Sequence, residues 1–238
     1  MTFMELWTVH LGRVPYREAL DLQRRVRAAR QADAVPDTVL ILEHPPVYTR
    51  GRRTAPGELP LGDDFYAAQG IDIVDVDRGG KVTYHGPGQL VAYPIARIGD
   101  VLEFVGRLEE AMTAALAEEG VAARGRSHEG REVTGVWVGD RKIGSIGLHV
   151  SHGITTHGLA VNVDNDLAPF EWIVPCGLGG VAMTSLRAEL GDDPGSSAAR
   201  LPCFRKRLGH QLARALGARQ RLVAPARLER ALTALPVG

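Results

Sequence analysis

The densest chemistry in the chain lies in Arg78-Gly79-Gly80-Lys81-Val82-Thr83-Tyr84-His85-Gly86-Pro87-Gly88-Gln89-Leu90, where four glycines surround basic, hydroxyl and imidazole side chains. Glycine permits positive φ and carries no Cβ, so such a loop can wrap a ligand while its N–H groups, Arg78 and Lys81 meet polar or anionic atoms. A tight hairpin without a ligand is the plainer reading of the same residues. The spacing matches neither a Walker loop nor a dinucleotide fingerprint.

Two thiols and one lysine are the other reactive groups with unusual surroundings. Cys176 follows Pro175 and precedes Gly177, Gly179 and Gly180, which reads as an exposed turn and leaves a reactive thiol and an inert, packed one both open. Cys203, beside Phe204 where a helix is expected to open, reads as a structural cysteine. Lys142 lies among small residues in Lys142-Ile143-Gly144-Ser145-Ile146-Gly147; from the residues alone, a surface lysine is the simpler reading. His149, His152 and His157 are close in sequence but lack metal-ligand spacing, and strand alternation would turn their side chains to different faces. No G-x-S-x-G elbow supports a serine hydrolase.

The elements that must position these groups alternate between helical and strand patterns. Tyr16 to Ala32 is an amphipathic helix, Thr38 to Leu42 a buried strand ended by Pro45 and Pro46, and Ile71 to Val76 and Leu90 to Ile95 are further strands. Asp100 caps a helix with the stripe Val101, Phe104, Val105, Leu108, Met112 and Ala115, stopped at Gly120. Val133 to Val138 and Arg141 to Val150 form a hairpin about Gly139-Asp140, and Thr156 to Val163 adds a strand. Leu201 to Leu216 is a basic amphipathic helix. Strands that follow one another through short turns favour a mixed sheet flanked by helices over a doubly wound parallel sheet.

At 238 residues the chain is read as one domain over 1–217 with a C-terminal extension over 218–238. Its 28 Lys and Arg balance 28 Asp and Glu, leaving no excess charge for a nucleic-acid backbone or an anionic membrane. No run approaches the about 18 apolar residues of a membrane span, and the first residues do not read as a signal peptide, so a cytoplasmic location with free thiols is expected.

Taken together and in order, Arg78 to Gln89, Lys142 and Pro175-Cys176-Gly177 resemble the lipoyl(octanoyl) transferases of lipoate biosynthesis, as do Glu43 to Thr49 and Thr156 to Asn162. The resemblance covers about residues 40–190. It implies an α/β fold, shared with lipoate- and biotin-protein ligases, whose mixed sheet lines an acyl tunnel. It implies transfer of an octanoyl group from octanoyl-acyl carrier protein to a specific lysine of lipoyl domains, on 2-oxoacid dehydrogenases and the glycine cleavage H protein. In that mapping Cys176 is the nucleophile and Lys142 its acid/base partner. Arg78, Gly79, Gly80, Lys81, Val82, Thr83, Tyr84, His85, Ser145, Ile146, Gly147, Gly158, Leu159 and Ala160 surround the acyl chain and its carbonyl, with His44 and Tyr93 as further lining. Neither cofactor nor metal is implied, and a monomer is expected. An ATP-dependent lipoate-protein ligase, a Cys-Lys thioesterase or amidase, and a silent lipoyl-domain-binding module are the competing readings.

Overall fold

Alternate residues of the central strands face two separate apolar layers. On β2 (Asp37–Glu43), Val39 and Ile41 pack to one side and Leu40 and Leu42 to the other. On β6 (Gln89–Ile95) the same division sets Leu90 and Ala92 against Val91 and Tyr93. A strand covered on both faces reads as a continuous apolar run, which is why these segments were conspicuous in sequence.

The computed structural model describes residues 4–174, 181–191 and 197–234. Besides β2 and β6, its strands are β1 (Glu5–Arg13), β3 (Val47–Arg50), β4 (Asp72–Asp75), β5 (Thr83–His85), β7 (Arg124–Gly125), β8 (Val136–Val138), β9 (Arg141–Ser151), β10 (Ile154–Asn162) and β11 (Arg219–Leu222). The helices are α1 (Tyr16–Gln31), α2 (Asp63–Ala68), α3 (Val101–Ala117), α4 (Leu186–Leu190), α5 (Ser197–Ala215) and α6 (Pro225–Thr233). Among the described residues, one sheet has eight strands in the order β11-β1-β2-β6-β10-β9-β8-β7, and a smaller one has the order β4-β3-β5. In the large sheet β1 runs parallel to β2 and β11, and its other pairs are antiparallel, so the fold is mixed α/β as expected.

Helices cover both faces of the large sheet. On one face α3 buries Phe104, Leu108 and Met112, and α5 buries Phe204, Leu208 and Leu212. Each such side chain contributes about 1.5–3 kcal/mol relative to exposure. The boundaries of α3 follow the sequence signals: the Asp100 carboxylate accepts from Glu103 N at 2.7 Å, and Gly120 turns the chain away at φ +86°. On the other face α1 supplies Ala19, Val26 and Ala29, and α6 supplies Leu228 and Leu232. The stretch set apart in sequence as a C-terminal extension therefore adds β11, the strand beside β1, and a packed helix.

The β8–β9 hairpin turns at Gly139, with φ +56°, and β9 then pairs along its length with β10. Their register opposes Gly147 to Gly158, Ile146 to Leu159 and Ser145 to Ala160. Three pairs on two consecutive strands thus become adjacent floor positions.

Candidate active site

A cavity opens between the large sheet and the segment leading into β5. Its floor is Val91 and Tyr93 of β6, Ser145, Ile146 and Gly147 of β9, and His157, Gly158, Leu159 and Ala160 of β10. Arg78, Gly80, Lys81, Val82, Thr83 and His85 form the facing wall, and Tyr16, Lys142, Phe170 and Met183 complete the lining. The volume available to the centre of a water-sized sphere is about 90 Å³. One water needs roughly 10–15 Å³ on that measure, so a chain of several heavy atoms fits.

Most segments expected from sequence meet here, with three departures. Tyr84 turns away because β5 alternates: Thr83 and His85 face the cavity while Tyr84 packs on Tyr48 and Phe170. Gly79 is not at the surface of the cavity; its N–H donates to Leu148 O at 2.8 Å and ties the wall to β9. His44 stands behind the lining, accepting through Nε2 from the Tyr93 hydroxyl at 2.7 Å.

Gly147 shows why small residues are needed where wall and floor meet. A Cβ there would stand 3.0 Å from Gly79 O and 3.2 Å from Arg78 Cδ. The Arg78 guanidinium is buried and donates to Thr49 O at 2.7 Å, Thr49 Oγ1 and Gly79 O, so it braces the glycine-rich wall. Lys81 pairs with the buried Glu58 at 3.3 Å, and Glu58 also accepts from Val82 N.

Lys142 is only 8% exposed, which overturns its reading as a surface lysine. Its N–H donates to Ala182 O at 2.8 Å and its carbonyl accepts from Thr184 N at 2.9 Å, so β9 begins by pairing with the segment around Met183. Its Nζ lies 5.4 Å from the centre of the Trp137 ring. Cys176 lies outside the described residues, as do Pro175 and Gly177. The described chain on either side is anchored beside the cavity: Val174 N donates to Glu58 O at 3.0 Å, and Ala182 bonds Lys142.

His85 and His44 are held neutral by burial. His85 is pushed down to about 3; its Nδ1–H donates to Gln89 Oε1 at 2.6 Å. Gln89 in turn donates to Asn162, and Asn162 to Thr184 O, which links the His85 wall to the strand partner of Lys142. His44 is pushed down to about 4, with Nδ1–H donating to Val14 O at 2.7 Å.

His157 and Tyr16 were not singled out as lining residues from sequence. His157 is buried at φ +58°, with its N–H donating to Gln23 Oε1 at 2.7 Å. Its Nε2–H donates to Asp77 at 2.7 Å and its Nδ1 receives the Tyr16 hydroxyl at 3.3 Å. Burial lowers the His157 pKa, and the hydrogen bond from His157 holds the Asp77 carboxyl well below the usual carboxylate range. His149 also approaches Asp77, at 3.5 Å. The left-handed backbone at His157 breaks the alternation that was expected to keep these two imidazoles apart. Among the described residues no three His, Cys, Asp or Glu side chains gather as a metal-binding group.

Cys203 is exposed, which corrects its reading as a packed structural cysteine. The helix begins at Ser197 rather than at Leu201, and Phe204, Leu208 and Leu212 define its inner face, leaving Cys203 outside it.

The model of the lipoyl protein ligase A/B catalytic domain matches residues 15–203. An octanoyltransferase of Thermobifida fusca is 48% identical over 188 residues, covering 74% of this chain and 76% of its own. One from Acidobacterium capsulatum is 43% identical over 234 residues, covering 88% of this chain and 92% of its own. Among solved structures, lipoate-protein ligase A bound with ATP superposes with TM-score 0.74 at 16% identity, over 97% of this chain and 93% of that one. A bi-partite lipoate protein ligase from Thermoplasma acidophilum gives 0.73 at 19%, over 96% and 90%. At such identities the structures establish a shared fold.

The chain is an acyltransferase enzyme, with a pocket between the large sheet and the segment that leads into β5. It belongs to the lipoyl protein ligase A/B catalytic-domain family and within it groups with the octanoyltransferases. Among the described residues, no helix is long and apolar enough to cross a membrane.

Proposed function

We propose that this enzyme transfers an octanoyl group from octanoyl-acyl carrier protein to a lysine of a lipoyl domain, through a thioester on Cys176 with Lys142 as acid/base. The acceptors are the lipoyl domains of 2-oxoacid dehydrogenases and the glycine cleavage H protein, and the enzyme acts as a cytoplasmic monomer. The observation that carries the reading is a buried lysine on an apolar-floored cavity, with the chain flanking Cys176 anchored beside it.

The steps balance without a cofactor or metal. The Cys176 thiolate attacks the donor thioester carbonyl, the carbon–sulfur bond to the carrier breaks, and the leaving thiolate takes a proton from the Lys142 ammonium. The acceptor amine, with a reference pKa of about 10.4, then attacks the acyl-enzyme after losing a proton to solvent. Lys142 receives the proton released as the amide forms, and the Cys176 thiolate leaves. As an ammonium Lys142 lowers the thiol pKa from about 8.5, and as an amine it accepts a proton. An amide is more stable than a thioester, so no nucleotide is needed. Val82, Ile146 and Leu159 hold the acyl chain, and a backbone N–H at Gly147 or at Gly177 receives the developing oxyanion.

Incubation with octanoyl carrier protein and an apo lipoyl domain, without ATP, tests the reading by intact mass of all three proteins. We expect the octanoyl mass to pass from carrier to enzyme to domain. Transfer that requires ATP and Mg²⁺ would identify a ligase, and release of free acid a thioesterase.

A further inference from the structure

The apolar inner face of α3 carries one carboxylate, Glu109, which is 5% exposed beside Leu108 and Met112. A buried charge is costly unless hydrogen bonds replace its hydration. Glu109 receives them from the segment that crosses in front of Lys142. Oε1 accepts from Gly135 N at 2.8 Å, Ser127 N at 3.0 Å and Arg126 N at 3.3 Å, and Oε2 accepts from Ser127 Oγ at 2.7 Å. The donors stand at both ends of residues 126–135, and Arg126 N closes that loop onto Gly135 O at 3.1 Å.

The loop end fixed in this way is the wall against which Lys142 lies. Gly135 has φ +128°, and a Cβ on it would stand 2.8 Å from Lys142 Cε. Two residues on, the Trp137 ring lies under Lys142 Nζ, and Arg126 Cζ stands 4.8 Å from the centre of the same ring. A helix carboxylate, a loop glycine and the stem of Lys142 thus form one packed series.

We propose that Glu109 is a positioning residue for the acyl transfer: by pinning residues 126 and 135 it fixes the wall that aims the Lys142 amine. This rests on the acid/base role proposed above for Lys142. Glu109→Gln keeps the shape, but its neutral amide oxygen accepts more weakly than a carboxylate oxygen. Although the Ser127 hydroxyl can turn to accept from the new NH₂ group, that group also faces Ser127 N–H, which donates to Oε2 at 3.2 Å, so the loop is held less firmly. Ser127→Ala removes the hydroxyl donor alone and is the milder change.

The test uses the full chain in a Cys203→Ser background, so that Cys176 is the alkylated thiol. Three quantities are measured: the pH midpoint of iodoacetamide alkylation, the single-turnover rate of octanoyl-enzyme formation, and the carrier concentration giving half the maximal rate. Glu109→Gln is expected to move the midpoint toward that of Lys142→Ala. It should slow acylation by about tenfold to a hundredfold, the scale of a small misplacement of a catalytic group, with the half-saturating concentration unchanged. Ser127→Ala should move both midpoint and rate in the same direction, by less. Folded variants with the wild-type midpoint and rate overturn the proposal, and if Glu109→Gln does not fold, Ser127→Ala decides alone. Should Lys142→Ala itself keep the wild-type profile, the dyad is wrong and this inference fails with it. An altered Lys142→Ala beside unchanged Glu109→Gln and Ser127→Ala overturns the Glu109 role only.

Discussion

Gly135 and Lys142 are in such close contact that a single methyl group on the glycine would stand 2.8 Å from the lysine Cε. The glycine also holds φ +128°, a conformation that L side chains rarely adopt. Local space and backbone angle thus demand the same residue, for different reasons.

Gly135→Ala should therefore lose activity beyond its loss of stability. Backbone strain of this kind costs about 1–3 kcal/mol, which a denaturation midpoint will show. At a temperature where the variant remains folded, acyl-enzyme formation should still be at least about tenfold slower, because the added methyl also meets the Gly144 carbonyl and both β9 and the lysine stem must move. A folded variant with wild-type rates would mean that the Gly135 wall does not restrain Lys142.

Lys142→Arg separates charge from proton transfer. Guanidinium keeps the positive charge but cannot accept a proton near neutral pH. The first acyl transfer should be retained in part and delivery to the lipoyl domain should collapse. Single-turnover rates for the two steps, measured across pH, check this; wild-type delivery would remove the proton-transfer role.

The two cysteines should behave oppositely. Cys203 is exposed on α5, outside the face that carries Phe204, so Cys203→Ala should leave activity and stability within experimental error. Cys176→Ala should abolish the acyl-enzyme in intact mass spectra. Equal losses in both variants would contradict the assignment.

The buried imidazoles give the fold an acid limit. His44 and His85 have pKa values depressed to about 4 and about 3 in the folded chain, against 6.5 when solvated. Below 6.5 the unfolded chain takes up protons that the folded chain refuses, so stability is full above that pH and falls as pH drops toward those values. Urea midpoints between pH 7 and pH 4 should decline steadily. His44→Phe, whatever its midpoint at neutral pH, should decline less steeply; an unchanged slope would show that His44 does not titrate on unfolding.

What could be read from sequence follows the range of the interactions involved. Asp100, the α3 stripe and Gly120 define a helix through contacts a few residues apart, the Gly139 turn makes β8 and β9 neighbours, and the short turn at His152-Gly153 does the same for β9 and β10. Residues 145–147 and 158–160 were expected around one site from the family resemblance, and the β9–β10 pairing is what sets them side by side. Tyr16 was hidden because the first turn of an amphipathic helix looks like ordinary core, whereas here its hydroxyl meets His157, 141 residues away. His157 was hidden because its left-handed φ, which aims the ring at Asp77, leaves no mark in residue type. Cys203 was placed by its aromatic neighbour, although a 3.6-residue period drawn through Phe204, Leu208 and Leu212 already turns it outward. β11 has only four residues, Arg219–Leu222, and no periodicity of its own; its partner on β1 lies at the other end of the chain.

That last pairing also bears on the order of assembly. Glu5 to Thr8 align with Arg219 to Leu222, so a strand made early on the ribosome must wait for one made more than two hundred residues later. Until then the outer edge of β1 offers unpaired N–H and C=O groups to any neighbouring chain. A ladder between such distant segments forms slowly because so much loop entropy is lost at once. The nascent enzyme is thus most exposed to mispairing while its cavity strands are already complete.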